Sequence, residues 1–112
     1  MLLPMLALAV IVQSKVGYGS ELYNNCQTYL SYTKPGPPHT DQDATKAAGC
    51  TSFVEGFIDA GNGVIGFCPK GHALGFYVKA YVDYMDQHTD LLDKPKQVGL
   101  SAALKDQFPC SQ

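Results

Sequence analysis

The residues of this chain with the widest chemical repertoire are four cysteines and three histidines. A thiol beside an imidazole can act as a nucleophile, and Cys and His at short spacings can bind zinc. Two thiols can also form a disulfide. The cysteines lie far apart and no C-x-x-C pair occurs, which is atypical of zinc sites and of thiol redox motifs. The spacing therefore favours structural disulfides among Cys26, Cys50, Cys68 and Cys110.

A catalytic or a metal-binding role for these cysteines and histidines is less well supported than disulfide formation. A thiol enzyme needs a free, activated cysteine, whereas four cysteines in an exported chain are expected to be paired. The histidines lie in predicted loops or at helix ends without a second ligand at zinc spacing. We therefore expect no catalytic residue, no metal and no cofactor. The three histidines are His39, His72 and His88.

Two carboxylates at helical spacing, Glu55 and Asp59, could form an acid/base pair because residues four apart share one face of a helix. Their neighbours Phe57 and Ile58 point inward at that helical phase, which turns the carboxylates outward. A solvated helix face is therefore the simpler interpretation.

An apolar, uncharged stretch covers residues 2–12 at the N-terminus. It is too short to span a bilayer and has about the length of a signal-peptide core. Small residues permit cleavage after Ser14 or after Gly19, and we favour the second. Residues 1–19 are thus predicted to be a signal peptide, although no basic residue precedes the stretch, and an N-terminal core helix is the alternative.

The remaining residues, 20–112, form one domain at most, and a domain of this size benefits from cross-links. Cleavage would remove Lys15 and no acidic residue, leaving seven lysines against ten carboxylates and a net charge of −3. The chain has no arginine, the usual bidentate ligand of phosphate and guanine, so a nucleic-acid partner is not expected. An acidic domain is better matched to a basic protein partner.

Hydrophobic periodicity predicts helices throughout the domain. The first spans 21–32 and ends before a loop at 33–40, because three prolines prevent its continuation. The second follows the polar residues 40–43, any of which could cap it, and ends at Gly61-Asn62-Gly63. Its predicted inner stripe is Ala47, Cys50, Val54, Phe57 and Ile58.

The third predicted helix runs from His72 to about His88 and is opened by Cys68-Pro69. One apolar stripe contains Leu74, Tyr77, Val78, Tyr81 and Met85. A second contains Phe76, Ala80 and Tyr84, so the helix is either central or meets another chain. The tyrosines are interpreted first as core residues and only second as a ligand-binding cluster. The second stripe is the predicted dimer interface.

The last helix is predicted to start near Asp93-Lys94-Pro95 and to pack Val98, Leu100, Ala103, Leu104 and Phe108. The whole domain is then a small all-α antiparallel bundle of four to five helices. Cysteine count alone allows three pairings. Antiparallel packing of successive helices favours two intramolecular bridges, Cys26 with Cys50 and Cys68 with Cys110.

The segments from Gly49-Cys50 to Asp59, Phe67-Cys-Pro69, Ala102-Ala-Leu104 and Phe108-Pro-Cys110 resemble the type VI secretion amidase immunity family. The resemblance covers about residues 20–110. It implies a periplasmic, disulfide-bonded helical homodimer, without stable membrane insertion, that binds a peptidoglycan amidase toxin with a Cys/His active site. Inhibition would be steric, so the protein would not itself be an enzyme.

Loops between helices are the expected contacts with such a toxin, because they are exposed. The segment 87–93 is favoured, with His88, Thr89, Asp90 and Asp93, and the segment 60–66, with Asn62, is its companion. Two other functions remain open from the sequence. One is an exported structural or interaction module of unknown ligand, and the other is a small thiol enzyme.

Overall fold

A computed structural model describes residues 17–63 and 65–110, and these residues form four α-helices and one 3-10 helix. The α-helices are α1 (Gly19–Ser31), α2 (Asp41–Gly61), α3 (Leu74–Asp86) and α4 (Lys96–Gln107), and the 3-10 helix is Thr89–Asp93. The prediction of an all-α bundle is confirmed. The apolar stretch at 2–12 and the possible cleavage after Ser14 lie outside the described residues.

Helix α2 begins where the sequence predicted, at a reciprocal cap. The backbone N–H of Asp43 donates to Oγ1 of Thr40, and the backbone N–H of Thr40 donates to Oδ2 of Asp43, both at 3.1 Å. This capping box satisfies two backbone donors that a helix start leaves unpaired. At the other end the chain leaves the helix at Asn62, where ψ is 117°, and Gly63 then continues the turn with a φ of +73°.

Helix α3 is shorter than predicted at both ends. The backbone N–H of Cys68 donates to the carbonyl of Phe108 at 2.8 Å, and Gly71 has a φ of +76°. The chain after Cys68 is therefore tied to the end of α4 and cannot enter a helix at Pro69. The helix starts at Leu74 instead and ends at Asp86.

Helix α3 lies at the centre of the bundle and contacts α1, α2 and α4. Its first predicted stripe is in the core, except that Leu74 is only partly buried. In the second stripe 52% of Phe76 is exposed, whereas Ala80 and Tyr84 are partly buried against the core. The prediction for Phe108 is confirmed, since it is buried, but that for Val98 is wrong. Gly99 and Leu100 take the inward positions of α4, so its helical phase turns Val98 outward.

Both predicted disulfides are present. Cys26–Cys50 joins α1 to α2 and is fully buried, with a Cα–Cα distance of 4.9 Å. Cys68–Cys110 joins the chain before α3 to the chain after α4, with a Cα–Cα distance of 4.8 Å. Each bridge closes one antiparallel pair of helices, so the core is cross-linked in both halves.

Residues 17–19 pack against the connection between α3 and α4. The Gly19 N–H donates to the carbonyl of Lys94 at 2.8 Å, and the Lys96 N–H donates to the carbonyl of Gly17 at 2.9 Å. Tyr18 pairs with Pro95 in an isolated β-bridge. The start of α1 therefore holds the residues that directly follow the segment that the sequence proposed as a partner contact.

Candidate partner-binding surface

The predicted contact segment 87–93 is a short connection between α3 and α4 that is anchored to the bundle. Leu91 and Leu92 of the 3-10 helix are partly buried against the core. A Cβ atom at Gly19 would lie 2.6 Å from the carbonyl oxygen of Leu91, so α1 approaches this segment closely. The predicted contact residues Thr89, Asp90 and Asp93 are exposed.

His88 is the fourth predicted contact residue, and it is fixed by Tyr84. The two rings stack with centroids 3.9 Å apart and planes 10° apart, and Nδ1 of His88 lies 2.8 Å from the carbonyl oxygen of Tyr84. A carbonyl oxygen only accepts, so Nδ1 carries the proton. In the neutral imidazole Nε2 is then a free acceptor.

This contact joins two predicted sites, because Tyr84 belongs to the second stripe of α3. Together with α4 the stripe forms a groove, called here the outer groove. Its two adjoining parts, each of about 250 Å³, share Ala80, Asp83 and Gln107. The outer groove is lined by Phe76, Lys79, Ala80, Asp83, Tyr84, Gln87, His88, Asp106 and Gln107. The predicted dimer stripe and His88 therefore lie on one surface.

Sequence reasoning missed Asp83, Asp106 and Gln107 as members of this surface. They lie on polar helix faces, whose only sequence signal is that they are hydrophilic. Which polar residues of α4 lie beside the apolar stripe of α3 depends on the packing of the two helices, which periodicity within one helix does not specify.

Asn62, the remaining predicted contact, lies at the opposite end of α4. It bridges to Phe67, which in turn pairs with Pro109 just after that helix. Asp93 lies just before α4, whose 12 residues extend for roughly 18 Å at 1.5 Å per residue. The structure does not bring Asn62 together with the 87–93 segment.

Most of the charged side chains in and beside the outer groove are acidic. Lys79 forms an exposed ion pair with Asp83, with Nζ 2.9 Å from Oδ2, and such a pair contributes little to stability. Asp106 accepts a hydrogen bond from the side-chain amide of Gln107 at 3.0 Å. On the α1 side, Tyr23 donates to Asp86, and this hydrogen bond raises the pKa of Tyr23 above its usual value.

The family assignment comes from a comparison with protein-family models. The model described as Rap1a immunity proteins matches residues 18–110, a range that contains all four helices and both disulfides. This chain belongs to the Rap1a immunity family. These are the type VI secretion amidase immunity proteins that the sequence resembled. No curated protein and no solved structure matches the chain.

The cysteines and the core tyrosines have structural roles in this Rap1a family member. All four cysteines are in disulfides, so none is a free thiol. The stripe tyrosines Tyr77 and Tyr81 are buried, and burial is the main cause that raises the pKa of Tyr81. Glu55 and Asp59 are exposed at the edge of a shallow groove. Across residues 17–63 and 65–110, no group of three or more metal-binding side chains occurs.

A second groove, which the sequence did not predict, lies between α1 and α2. It has a volume of about 320 Å³ and is lined by Tyr29, Tyr32, Ala44, Ala47, Ala48 and Thr51. We call it the hairpin groove. Tyr32 stacks on His39, with ring centroids 3.7 Å apart, which orders the connecting loop beside it. Among the residues that the structure describes, no charged side chain lines the hairpin groove.

Proposed function

We propose that this Rap1a family member binds a secreted peptidoglycan amidase and blocks its active site, protecting the cell that makes it. The observation that carries the proposal is the family match over the whole helical domain, residues 18–110. Both disulfides are consistent with an oxidising compartment, for which we propose the periplasm. In the part of the chain that the structure describes, no helix is long and apolar enough to cross a membrane.

The proposed inhibition is steric and requires no chemistry from this chain. An amidase with a Cys/His nucleophile in a cleft is inactive when another protein fills that cleft. The 87–93 segment suits this role because it connects α3 and α4 and is anchored to the core by Leu91 and Leu92. Its exposed Thr89, Asp90 and Asp93 could reach a cleft without loss of core contacts. A rigid element of this kind binds with a small entropic cost.

The test is direct binding to a peptidoglycan hydrolase with a Cys/His active site from the organism that carries this gene. The mature protein would be immobilised, the hydrolase captured, and peptidoglycan cleavage measured with and without the complex. We expect a stable complex that abolishes cleavage. Binding without inhibition would overturn the steric mechanism, and absence of binding would leave an exported interaction module of unknown ligand.

We also propose that the mature protein forms a homodimer. The predicted stripe of Phe76, Ala80 and Tyr84 is one surface available to a second copy. The hairpin groove is another. In this groove the exposed Tyr32 ring lies beside three alanines, and none of the described residues that line it is charged. Two copies of this surface can pack about a two-fold axis, with the tyrosine ring of each chain against the alanines of the other, and without like-charge repulsion.

Sedimentation velocity at micromolar concentration tests this association. Ala47→Glu in the hairpin groove and Ala80→Glu in the outer groove then locate the interface. We expect a dimer that Ala47→Glu dissociates. A strict monomer for the unmodified protein would contradict the proposal of a homodimer.

A further inference from the structure

The outer groove combines an apolar floor with the carboxylates of Asp83 and Asp106, and the lysine that lines it, Lys79, is already paired with Asp83. We infer that it holds a Lys or Arg side chain of the amidase, presented next to an apolar side chain, and not a second copy of this chain. The inference rests on the proposed function and names the surface and the chemistry by which the partner is recognised.

The floor of the groove contains an exposed aromatic ring whose position is fixed by its neighbours. Phe76 is 52% exposed, yet its ring packs edge-on against the buried Phe108 at 5.8 Å and lies 4.2 Å from the His72 ring. An exposed aromatic ring that is already held by neighbours contributes apolar area with little loss of conformational freedom on binding.

Two polar groups of the groove, one on α4 and one just after α3, are hydrogen-bond acceptors. Asp106 has an exposed carboxylate whose hydrogen-bond partner is a neutral amide, and Nε2 of His88 is an acceptor when the ring is neutral. Across residues 17–63 and 65–110 the one salt bridge is that of Lys79 with Asp83, so Asp106 lacks a cationic partner there. Lys and Arg side chains are donors only, and therefore complement this set.

A second copy fits the same groove less well. A two-fold contact would place Asp106 of both chains on one desolvated surface, where like charges repel. Lys79 could offset that charge only by leaving Asp83, with which it is already paired. The full chain has no arginine and carries a net negative charge, which also favours a basic partner.

The decisive experiment measures the affinity of the mature protein for the Cys/His hydrolase of the binding test above at several NaCl concentrations. The variant is Asp106→Asn, and the matched control is Asp59→Asn, an exposed carboxylate of α2 outside the groove with the same change of charge. We expect Asp106→Asn to weaken binding at least about ten-fold and to reduce its salt dependence, with Asp59→Asn close to the unmodified protein. Phe76→Ser should weaken binding as well.

The outcomes are separable. If the unmodified protein binds and Asp106→Asn binds equally well, the assignment of the groove is wrong while the proposed function stands. If the unmodified protein does not bind the hydrolase, the proposed function fails and this inference fails with it. If Asp106→Asn instead strengthens self-association in sedimentation, the groove is a contact between copies. Unchanged thermal unfolding of each variant excludes misfolding as the cause.

Discussion

Gly99 of α4 lies directly against the thioether of Met85 in α3. A Cβ atom at position 99 would be 2.6 Å from Sδ and 3.0 Å from Cε of Met85, whose side chain is 1% exposed. Real side-chain atoms do not approach so closely, so the buried Met85 side chain occupies the space that a side chain at position 99 would need. The same two helices form the outer groove.

Gly99→Val is accordingly expected to lower the free energy of unfolding by about 1–3 kcal/mol, because the added methyl groups overpack the contact with Met85. Gly56→Val is the matched control, since nothing lies within 4 Å of a Cβ at that helical position. Its effect should be within about 0.5 kcal/mol. Urea unfolding monitored by circular dichroism measures both, and equal effects would contradict the packing argument.

Phe108→Ala should cost roughly 3–5 kcal/mol of stability, because this ring is buried against Tyr77 with centroids 4.9 Å apart. Phe76→Ala removes a neighbouring ring of the same type that is half exposed, and should cost far less. A near-zero effect of Phe108→Ala in chemical unfolding would place the ring outside the core.

The two disulfides should differ in reactivity. Cys26–Cys50 is fully buried, whereas both residues of Cys68–Cys110 are partly accessible. Limiting reductant is expected to open Cys68–Cys110 first, and differential alkylation with mass spectrometry identifies the bridge that opens. Loss of either bridge should lower stability by about 2–5 kcal/mol. Preferential opening of Cys26–Cys50 in the folded protein would be the contrary result.

Alkaline pH should destabilise the fold through Tyr81. Its folded-state pKa is raised by burial, so the contribution of the neutral phenol is complete below the unfolded-state value near 10 and is lost as pH rises above it. The loss is up to about 1.4 kcal/mol per pH unit for one group. Tyr81→Phe keeps the ring, so its unfolding free energy should fall less between pH 9 and 11. Identical pH profiles would exclude Tyr81 as the titrating group.

The mature N-terminus is expected to retain residues 17–19. Cleavage after Gly19 would remove the hydrogen bonds that Gly17 and Gly19 make with Lys96 and Lys94, at about 0.5–1.5 kcal/mol each. Cleavage after Ser14 would keep them, so these hydrogen bonds favour Ser14 over the cleavage after Gly19 that the sequence alone favoured. The intact mass of protein recovered from the periplasm distinguishes the two. A mass corresponding to residues 20–112 would contradict this expectation.

Features that depend on neighbours in the chain were predictable from the sequence. The start of α2 follows from Thr40 and Asp43, because a capping box needs only residues three apart. The loop after α1 follows from its prolines. The disulfide pairs were also predictable, because short connections make successive helices run antiparallel and so place Cys26 near Cys50. The family resemblance likewise rests on short local motifs around the cysteines.

Features that depend on the relative rotation of helices were decided only by the tertiary structure. Val98 faces outward because Gly99 takes the position against Met85, and α3 starts late because Cys68 is hydrogen-bonded to Phe108 some forty positions away. The outer groove has the same origin. Asp106 lies in the same groove as Tyr84 and His88 because α4 packs on α3. Asn62, in contrast, lies near the far end of α4. Sequence periodicity describes one helix at a time, and a surface built by two helices is determined by how they pack.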